Sequence, residues 1–295
     1  MRRFIRFCLF LAVLVAAGAW LLSRPAGLAE GRFDNLTGDA VAGEQVFIAS
    51  GCASCHMSPG ADEAEADGKL VLAGGMRFPS PYGTFLAPNI SMSSAGIGDW
   101  TVQDLGNALL RGVSPEGQHY YPAFPYTSYA RMTDRQVADL WAYMTTLPVD
   151  DTASLPHDIG FPFNIRRSLG LWKPLYLRPQ WVLANAPDAQ VDRGRMLVEA
   201  LGHCAECHTP RDQLGGLQRD AWMTGAPNPA GRGRIPGIDP ATLGWSVAEI
   251  AYYLETGFTP EFDTAGGHMV SVIENTAQLP ESDRQAIAAY LVALR

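Results

Sequence analysis

Cys52-Ala53-Ser54-Cys55-His56 and Cys204-Ala205-Glu206-Cys207-His208 are two copies of one pattern, Cys-x-x-Cys-His, in a chain of 295 residues. Two thiols separated by two residues can form thioethers with the two vinyl groups of one porphyrin while the next imidazole reaches its iron, which is the pattern of c-type haem attachment. The chain is therefore expected to hold two covalently bound haem c groups through Cys52, Cys55, Cys204 and Cys207, with His56 and His208 as iron ligands. Zinc sites also use Cys-x-x-Cys pairs, but they usually place the second pair within tens of residues, whereas here the pairs lie far apart and each is followed at once by His. A redox dithiol is expected beside a strand-helix-strand pattern, and both motifs here end helix-like segments.

Composition narrows the function classes. Apolar residues make up 47% of the chain, enough for packed cores, and the length suggests about two domains. A formal charge of -8 argues against a nucleic-acid surface, which needs a basic stripe to release phosphate counterions. Of five cysteines, four belong to the motifs. The fifth, Cys8, sits in an apolar run as a lipid-facing bystander, so no structural disulfide is expected.

That run follows Arg2, Arg3 and Arg6 and extends from Phe7 to Leu22 without a charge. Its basic end is expected in the cytoplasm and the rest of the chain in the periplasm. In length it falls between a signal-peptide core and a full membrane span. Ala17-x-Ala19 and Gly27-x-Ala29 both read as cleavage sites, but the stretch exceeds the usual signal core and Trp20 suits an interface, which favours an uncleaved anchor.

Beyond the anchor the sequence repeats itself. A helix-like segment with a glycine precedes each motif, at Gly43 and at Gly194. A middle helix follows, running from Trp100-Thr101 to Arg111-Gly112 and from Trp245-Ser246 to Thr256-Gly257, with Thr101 and Ser246 as N-caps. Each unit closes with an amphipathic helix, Thr133 to Leu147 and Glu281 to Leu294. Phe47, Tyr143 and Tyr290 fall on apolar helix faces and read as core.

Three stretches carry a resemblance: Tyr121-Pro122-Ala123-Phe124-Pro125-Tyr126-Thr127-Ser128-Tyr129-Ala130-Arg131-Met132, Phe161-Pro162-Phe163-Asn164-Ile165-Arg166, and Leu201-Gly202-His203-Cys204 through Thr209-Pro210-Arg211. Gly266-Gly267-His268-Met269 and Asn275-Thr276 belong with them. The chain resembles a class I type dihaem cytochrome c, and more narrowly the cytochrome subunits of membrane-bound bacterial dehydrogenases acting on alcohols, aldehydes or sugar acids. The expected fold is all-α. Residues 1–28 form the membrane anchor or signal segment, 29–150 the first cytochrome c domain, 151–188 a long ordered linker and 189–295 the second domain. The resemblance implies electron transfer from a partner dehydrogenase subunit toward a quinone, a soluble cytochrome or a terminal oxidase. Many such subunits carry three haem motifs, and this chain has two.

The sixth iron ligand is a separate question, because a thioether there raises the potential and closes the iron to substrates. Met269 follows a glycine pair and precedes the final helix, where such domains bring a loop across the open haem face; His268 beside it is the alternative. In the first domain Phe124 stands where related chains often have methionine. Met132, just before the closing helix, becomes the candidate, with Met92, Met144 and His119 in reserve. The second nitrogen of each proximal histidine is expected to donate to a backbone carbonyl, with Pro59 and Pro210 as candidate positions. Arg166 or Arg167 are candidates to pair with haem propionates. His157 and His203 have no assigned role and read as polar surface groups. An acidic segment from Ala61 to Lys69 is a candidate for steering a basic partner.

No acid, base or nucleophile constellation appears, so the expectation is a carrier of single electrons and not an enzyme. The alternative from another class is a dihaem enzyme, of peroxidase or thiosulfate-oxidising type, with one open haem iron. A gas sensor would need the same open iron.

Overall fold

The computed structural model describes residues 1–61, 66–229, 231 and 233–294, the side chains of 66 and 67 excepted. The acidic segment proposed for partner steering falls mainly on 62–67 and lies outside the described residues. The chain runs α1 (Arg2–Leu22), α2 (Ala40–Ala49), α3 (Cys52–His56), β1 (Arg77–Ser80), β2 (Gly83–Leu86), α4 (Val102–Arg111), α5 (Tyr126–Tyr129), α6 (Asp134–Met144), β3 (Asp158–Ile159), α7 (Leu169–Tyr176), α8 (Ala189–Arg195), α9 (Ala205–His208), β4 (Ala226–Pro227), β5 (Arg234–Ile235), α10 (Pro240–Leu243), α11 (Val247–Thr256), α12 (Met269–Gln278) and α13 (Glu281–Ala293). It is predominantly helical.

Local chemistry sets the helix ends. Thr101 with Asp104, Thr133 with Gln136 and Ser246 with Glu249 form reciprocal capping boxes at the starts of α4, α6 and α11. In each, a hydroxyl takes an orphan N–H while the third residue reaches back. Gly112 and Gly257 end α4 and α11 in the left-handed region, at φ +60° and +76°, where a Cβ would be strained.

Two glycines then decide how the helices cross. A Cβ on Gly43 in α2 would lie 1.9 Å from the Asp139 carbonyl oxygen of α6, and one on Gly194 in α8 would lie 1.9 Å from the Ala286 carbonyl oxygen of α13. The missing side chains let α2 meet α6, and α8 meet α13, backbone to backbone. Tyr143 and Tyr290 occupy matching places beside those glycines, each with its Cβ 2.8 Å from the absent one. The buried residues of both halves, from Phe33 to Leu291, form one continuous hydrophobic cluster.

Strand is the element that sequence reading missed. β1 and β2 form a hairpin around Pro81-Tyr82, and β3 adds to β2 by pairing Gly83 with Ile159 and Thr84 with Asp158. β3 lies in the stretch between the two haem-motif halves, which holds to the first half and then crosses to the second. Asp150 accepts from Ser91, Ser93 and Asn89 through its carbonyl. In α7, Lys173 sends three hydrogen bonds into the first half: to the carbonyls of Arg111 (2.7 Å) and Gly112 (2.7 Å) at the end of α4, and to His119 Nδ1 (2.9 Å). Burial and then Arg111 push the Lys173 pKa down to about 7, while the two carbonyls at a helix C-terminus favour its charge. On the other side of α7, Trp172 Nε1 donates to the Leu214 carbonyl (2.9 Å) and Tyr176 to Asp212 (2.6 Å) in the second half.

Candidate functional site

Each motif is a short helical turn entered through a left-handed residue, Gly51 at φ +60° before Cys52 and His203 at φ +41° before Cys204. In the second copy α8 runs into a π-helical turn, Met196–Leu201, that buries Glu199 completely.

The two imidazoles are held alike. His56 Nδ1 donates to the Pro88 carbonyl and His208 Nδ1 to the Pro236 carbonyl, each at 2.8 Å. Burial lowers the pKa of both rings, against the opposing effect of the carbonyl bond. A neutral ring with its Nδ1–H tied to a carbonyl presents the Nε2 lone pair, the atom a metal takes. The carbonyls do belong to prolines, but not to Pro59 or Pro210. They come from a returning pass of the chain 32 and 28 residues away, which no local spacing marks.

That returning pass is itself built twice. Gly74 N–H donates to the His56 carbonyl (2.7 Å) and Gly225 N–H to the His208 carbonyl (2.8 Å); Ile90 N–H bonds Leu72 (2.9 Å) and Ile238 N–H bonds Met223 (2.8 Å). Gly74 (φ +74°) and Gly225 (φ +86°) are left-handed, and a Cβ on Gly74 would lie 2.4 Å from the carbonyl carbon of Pro88. Gly74, Pro88, Gly225 and Pro236 are functional positions that sequence reading missed. Aligning the two halves by their motifs would have shown a glycine and a proline recurring in each. Gly74→Ala should push the Pro88 carbonyl off His56 and weaken the bond of His56 to the haem iron about 10- to 100-fold, the usual cost of losing such an outer partner. Acid titration of the haem absorbance, with loss of the low-spin spectrum expected at a higher pH than in the parent, checks this against Gly160→Ala, which has open space around it.

Of the methionines, Met132 is buried in the core just before α6, and Met269 is half-buried as the first residue of α12, packed on the core of the second half. Met144 is buried among Val137 and Leu140 in the core, and Met92 packs partly against it. His119 has both nitrogens engaged, Nε2 with the Ser23 carbonyl (2.9 Å) and Nδ1 with Lys173. His268 is exposed, its ring 6.3 Å from that of Phe78 in the first half. Phe124 sits edge-on to Tyr120, Tyr126 and Tyr129.

Two sequence expectations, for His157 and His203, are corrected by packing, which also gives Arg166 and Arg167 their partners. Arg167 is directed at the end of α1, bonding Ser23 Oγ (2.9 Å) and the Trp20 carbonyl (2.7 Å), while Arg166 lies over the Tyr121 ring and bonds Gln118. His157 accepts from Leu86 N–H (3.1 Å) and stacks edgewise on Phe85 and Tyr121. His203 reaches across to the Ser50 carbonyl (3.3 Å) and packs on Tyr129. The two histidines are packing groups because the nitrogens of a half-buried ring need partners.

The two motifs face each other across the interface between the halves. Ser50 takes His203 and Tyr129, Asn275 Nδ2 donates to Ser54 Oγ inside the first motif (2.8 Å), and Thr127 donates to Glu206 inside the second (3.1 Å).

The donors fit haem and not zinc. All five cysteines are free. Burial pushes Cys52 and Cys204 up to about 12, and burial with the neighbouring Cys207 pushes Cys55 up to about 11. Zinc takes thiolates converging on one point, and among the described residues no grouping of three or more His, Cys, Asp or Glu is placed to hold a metal ion. Protonated thiols that do not converge, beside an imidazole with a free Nε2, suit addition to porphyrin vinyls and ligation of its iron.

Comparison with known proteins agrees. The cytochrome c family model matches residues 40–148 and 191–295. The chain is 52% identical over 293 residues to a diheme cytochrome c-type protein of Cereibacter sphaeroides, covering 99% of this chain and 98% of that one. It is 38% identical to the fructose dehydrogenase cytochrome subunit of Gluconobacter japonicus, over 84% of this chain and 51% of that one. The gluconate 2-dehydrogenase cytochrome c subunit of Pantoea cypripedii is 34% identical, over 88% and 61%. The chain thus spans about half to three fifths of those two dehydrogenase subunits. It belongs to the cytochrome c family, and its cofactors are two haem c groups.

Proposed function

We propose that this chain is a periplasmic, membrane-tethered electron carrier that accepts electrons from a partner dehydrogenase subunit and passes them toward the respiratory chain, to a quinone, a soluble cytochrome or a terminal oxidase. Residues 1–28 form the tether, 29–150 and 189–295 the two haem domains and 151–188 the linker. The bound haems supply reversible one-electron exchange at iron. Cys52, Cys55, Cys204 and Cys207 attach them; His56 and Met132 ligate the first iron, His208 and Met269 the second. The observation that carries the reading is the paired arrangement at the interface, where two motifs with identically tied histidines meet through Ser50, Ser54, His203 and Asn275. Two one-electron centres held against each other by hydrogen bonds suit passage of charge between them. The names of the fructose and gluconate dehydrogenase subunits support the dehydrogenase as donor.

The test is ligation. In the reduced full-length protein, optical spectra with carbon monoxide should show two closed, low-spin haems that do not bind the gas. Met132→Ala and Met269→Ala should each open one of them to carbon monoxide and lower that haem's midpoint potential, since the thioether is what raises it. A parent protein that binds carbon monoxide at one haem would replace this reading with a dihaem enzyme.

A further inference from the structure

Exposed apolar side chains flank Arg167 and Gly170, the residues that pack on the end of α1. Phe161 to Ile165 are all exposed, Phe161 at 81%, and Leu171 and Leu175 project into solvent from α7. Contiguous exposed apolar surface of this kind marks an interaction site. Building up from α1 identifies the partner.

The charge-free stretch Phe7 to Leu22 has 16 residues, a rise of ~24 Å at ~1.5 Å per residue, against a hydrocarbon thickness of about 30 Å. An apolar stretch that short is matched by thinning of the bilayer and by drawing its flanks inward. Ser23 therefore cannot stand clear of the headgroups. Gly170 packs so closely on Ser23 that a Cβ would lie 2.3 Å from the Ser23 carbonyl oxygen, and Arg167 lies 4.2 Å from the Trp20 ring while bonding Ser23 and Trp20. His119 holds the same Ser23 carbonyl from the first haem domain. The start of α7 is thereby fixed at the depth of the end of α1. Leu171 is the next residue after Gly170, and Phe161 is six residues from Arg167, a reach of at most ~20 Å.

We propose that this surface, Phe161, Phe163, Ile165, Leu171 and Leu175, seats on the bilayer itself, its apolar side chains at the boundary between headgroups and acyl chains of the outer leaflet. The chemistry around it fits a phospholipid surface: Trp20 suits the interface, and Arg24, exposed directly after Ser23, and Arg166 bring positive charge able to reach headgroup phosphates, on a chain whose net charge is -8. The seat would hold the first haem domain against the membrane in one orientation, where a tether alone would let it swing. The inference rests on the tether proposed above.

Nitroxide labels test it in the holoprotein, full length, in phospholipid vesicles. Phe161→Cys, Phe163→Cys and Leu171→Cys are made in a Cys8→Ser background, with Val15→Cys inside α1 and Phe262→Cys on the second domain as references. The expected result is an oxygen-over-nickel-chelate accessibility ratio several-fold higher at 161, 163 and 171 than at 262. If Val15 reads hydrocarbon depth while the three linker sites match 262, the seat is wrong and the tether stands. If Val15 also matches 262, both are wrong.

Discussion

Gly194→Ala is expected to destabilise the second haem domain by about 3 kcal/mol, at the upper end of what overpacking a tight contact costs, and Gly194→Val to prevent that domain from folding. The reason is backbone, not side chain. An added Cβ would sit 1.9 Å from the Ala286 carbonyl oxygen and 2.8 Å from the Cβ of Tyr290, so α8 and α13 would have to separate along their whole contact. Tyr290 is fully buried and bonded to Glu199 and Trp222, and cannot give way cheaply. Gly43→Ala should act alike on the first domain, where the obstacles are the Asp139 carbonyl and Tyr143. Gly160→Ala, with nothing within 4 Å, is the control expected within about 0.5 kcal/mol of the parent. Denaturant unfolding followed by haem absorbance measures all three. A Gly194→Ala protein as stable as the control would show that the crossing is looser than described.

Glu199→Ala is expected to cost roughly 3–5 kcal/mol, the range for breaking a buried ion pair from one side, and to split a single melting transition into two. Glu199 has no exposed surface. Its carboxylate accepts from Val182 N–H (2.6 Å) and Leu183 N–H (3.0 Å) in the linker and from Tyr290 (2.8 Å) in the second domain, and it lies 3.7 Å from Arg131 of the first. Arg131 in turn donates to the carbonyls of Glu199, Arg178 and Gln180. Burial pushes the Arg131 pKa down to about 10 even with that carboxylate alongside. Truncation would strand the guanidinium and three donors at the junction of both domains and linker. Glu199→Gln keeps an acceptor for some of those donors and should fall between parent and Ala. Calorimetry distinguishes the cases. An Ala variant that melts in one transition at the parent temperature would remove Glu199 from any role in docking the domains.

What could be read ahead of the structure was local in sequence. A capping box needs residues three apart, a haem motif five in a row, and an amphipathic helix a period of about 3.6. So Thr101, Ser246, the two Cys-x-x-Cys-His turns and the closing helices could be identified from residue types alone. What could not be read depends on chain passes that meet only after folding. Pro88 and Pro236 orient the proximal histidines from 32 and 28 residues away. His203 looked like a surface group until it met Ser50, and nothing in the sequence marks Glu199, which a π-helical turn buries against Val182, Leu183 and Tyr290. Arg167 bonds Trp20 and Ser23, far back in the chain, a contact no local spacing marks.

The amino-acid sequence by itself determined that two haems belong to the chain, with a Cys-x-x-Cys-His motif in each of two helical repeats, because covalent capture requires only neighbouring residues on one turn. Tertiary structure alone decided which carbonyls hold the imidazoles, how closely α2 and α8 approach their partners, and that the two motifs face one another. Each of those is a contact between segments far apart in the chain, and its distance exists only once the backbone has closed around it.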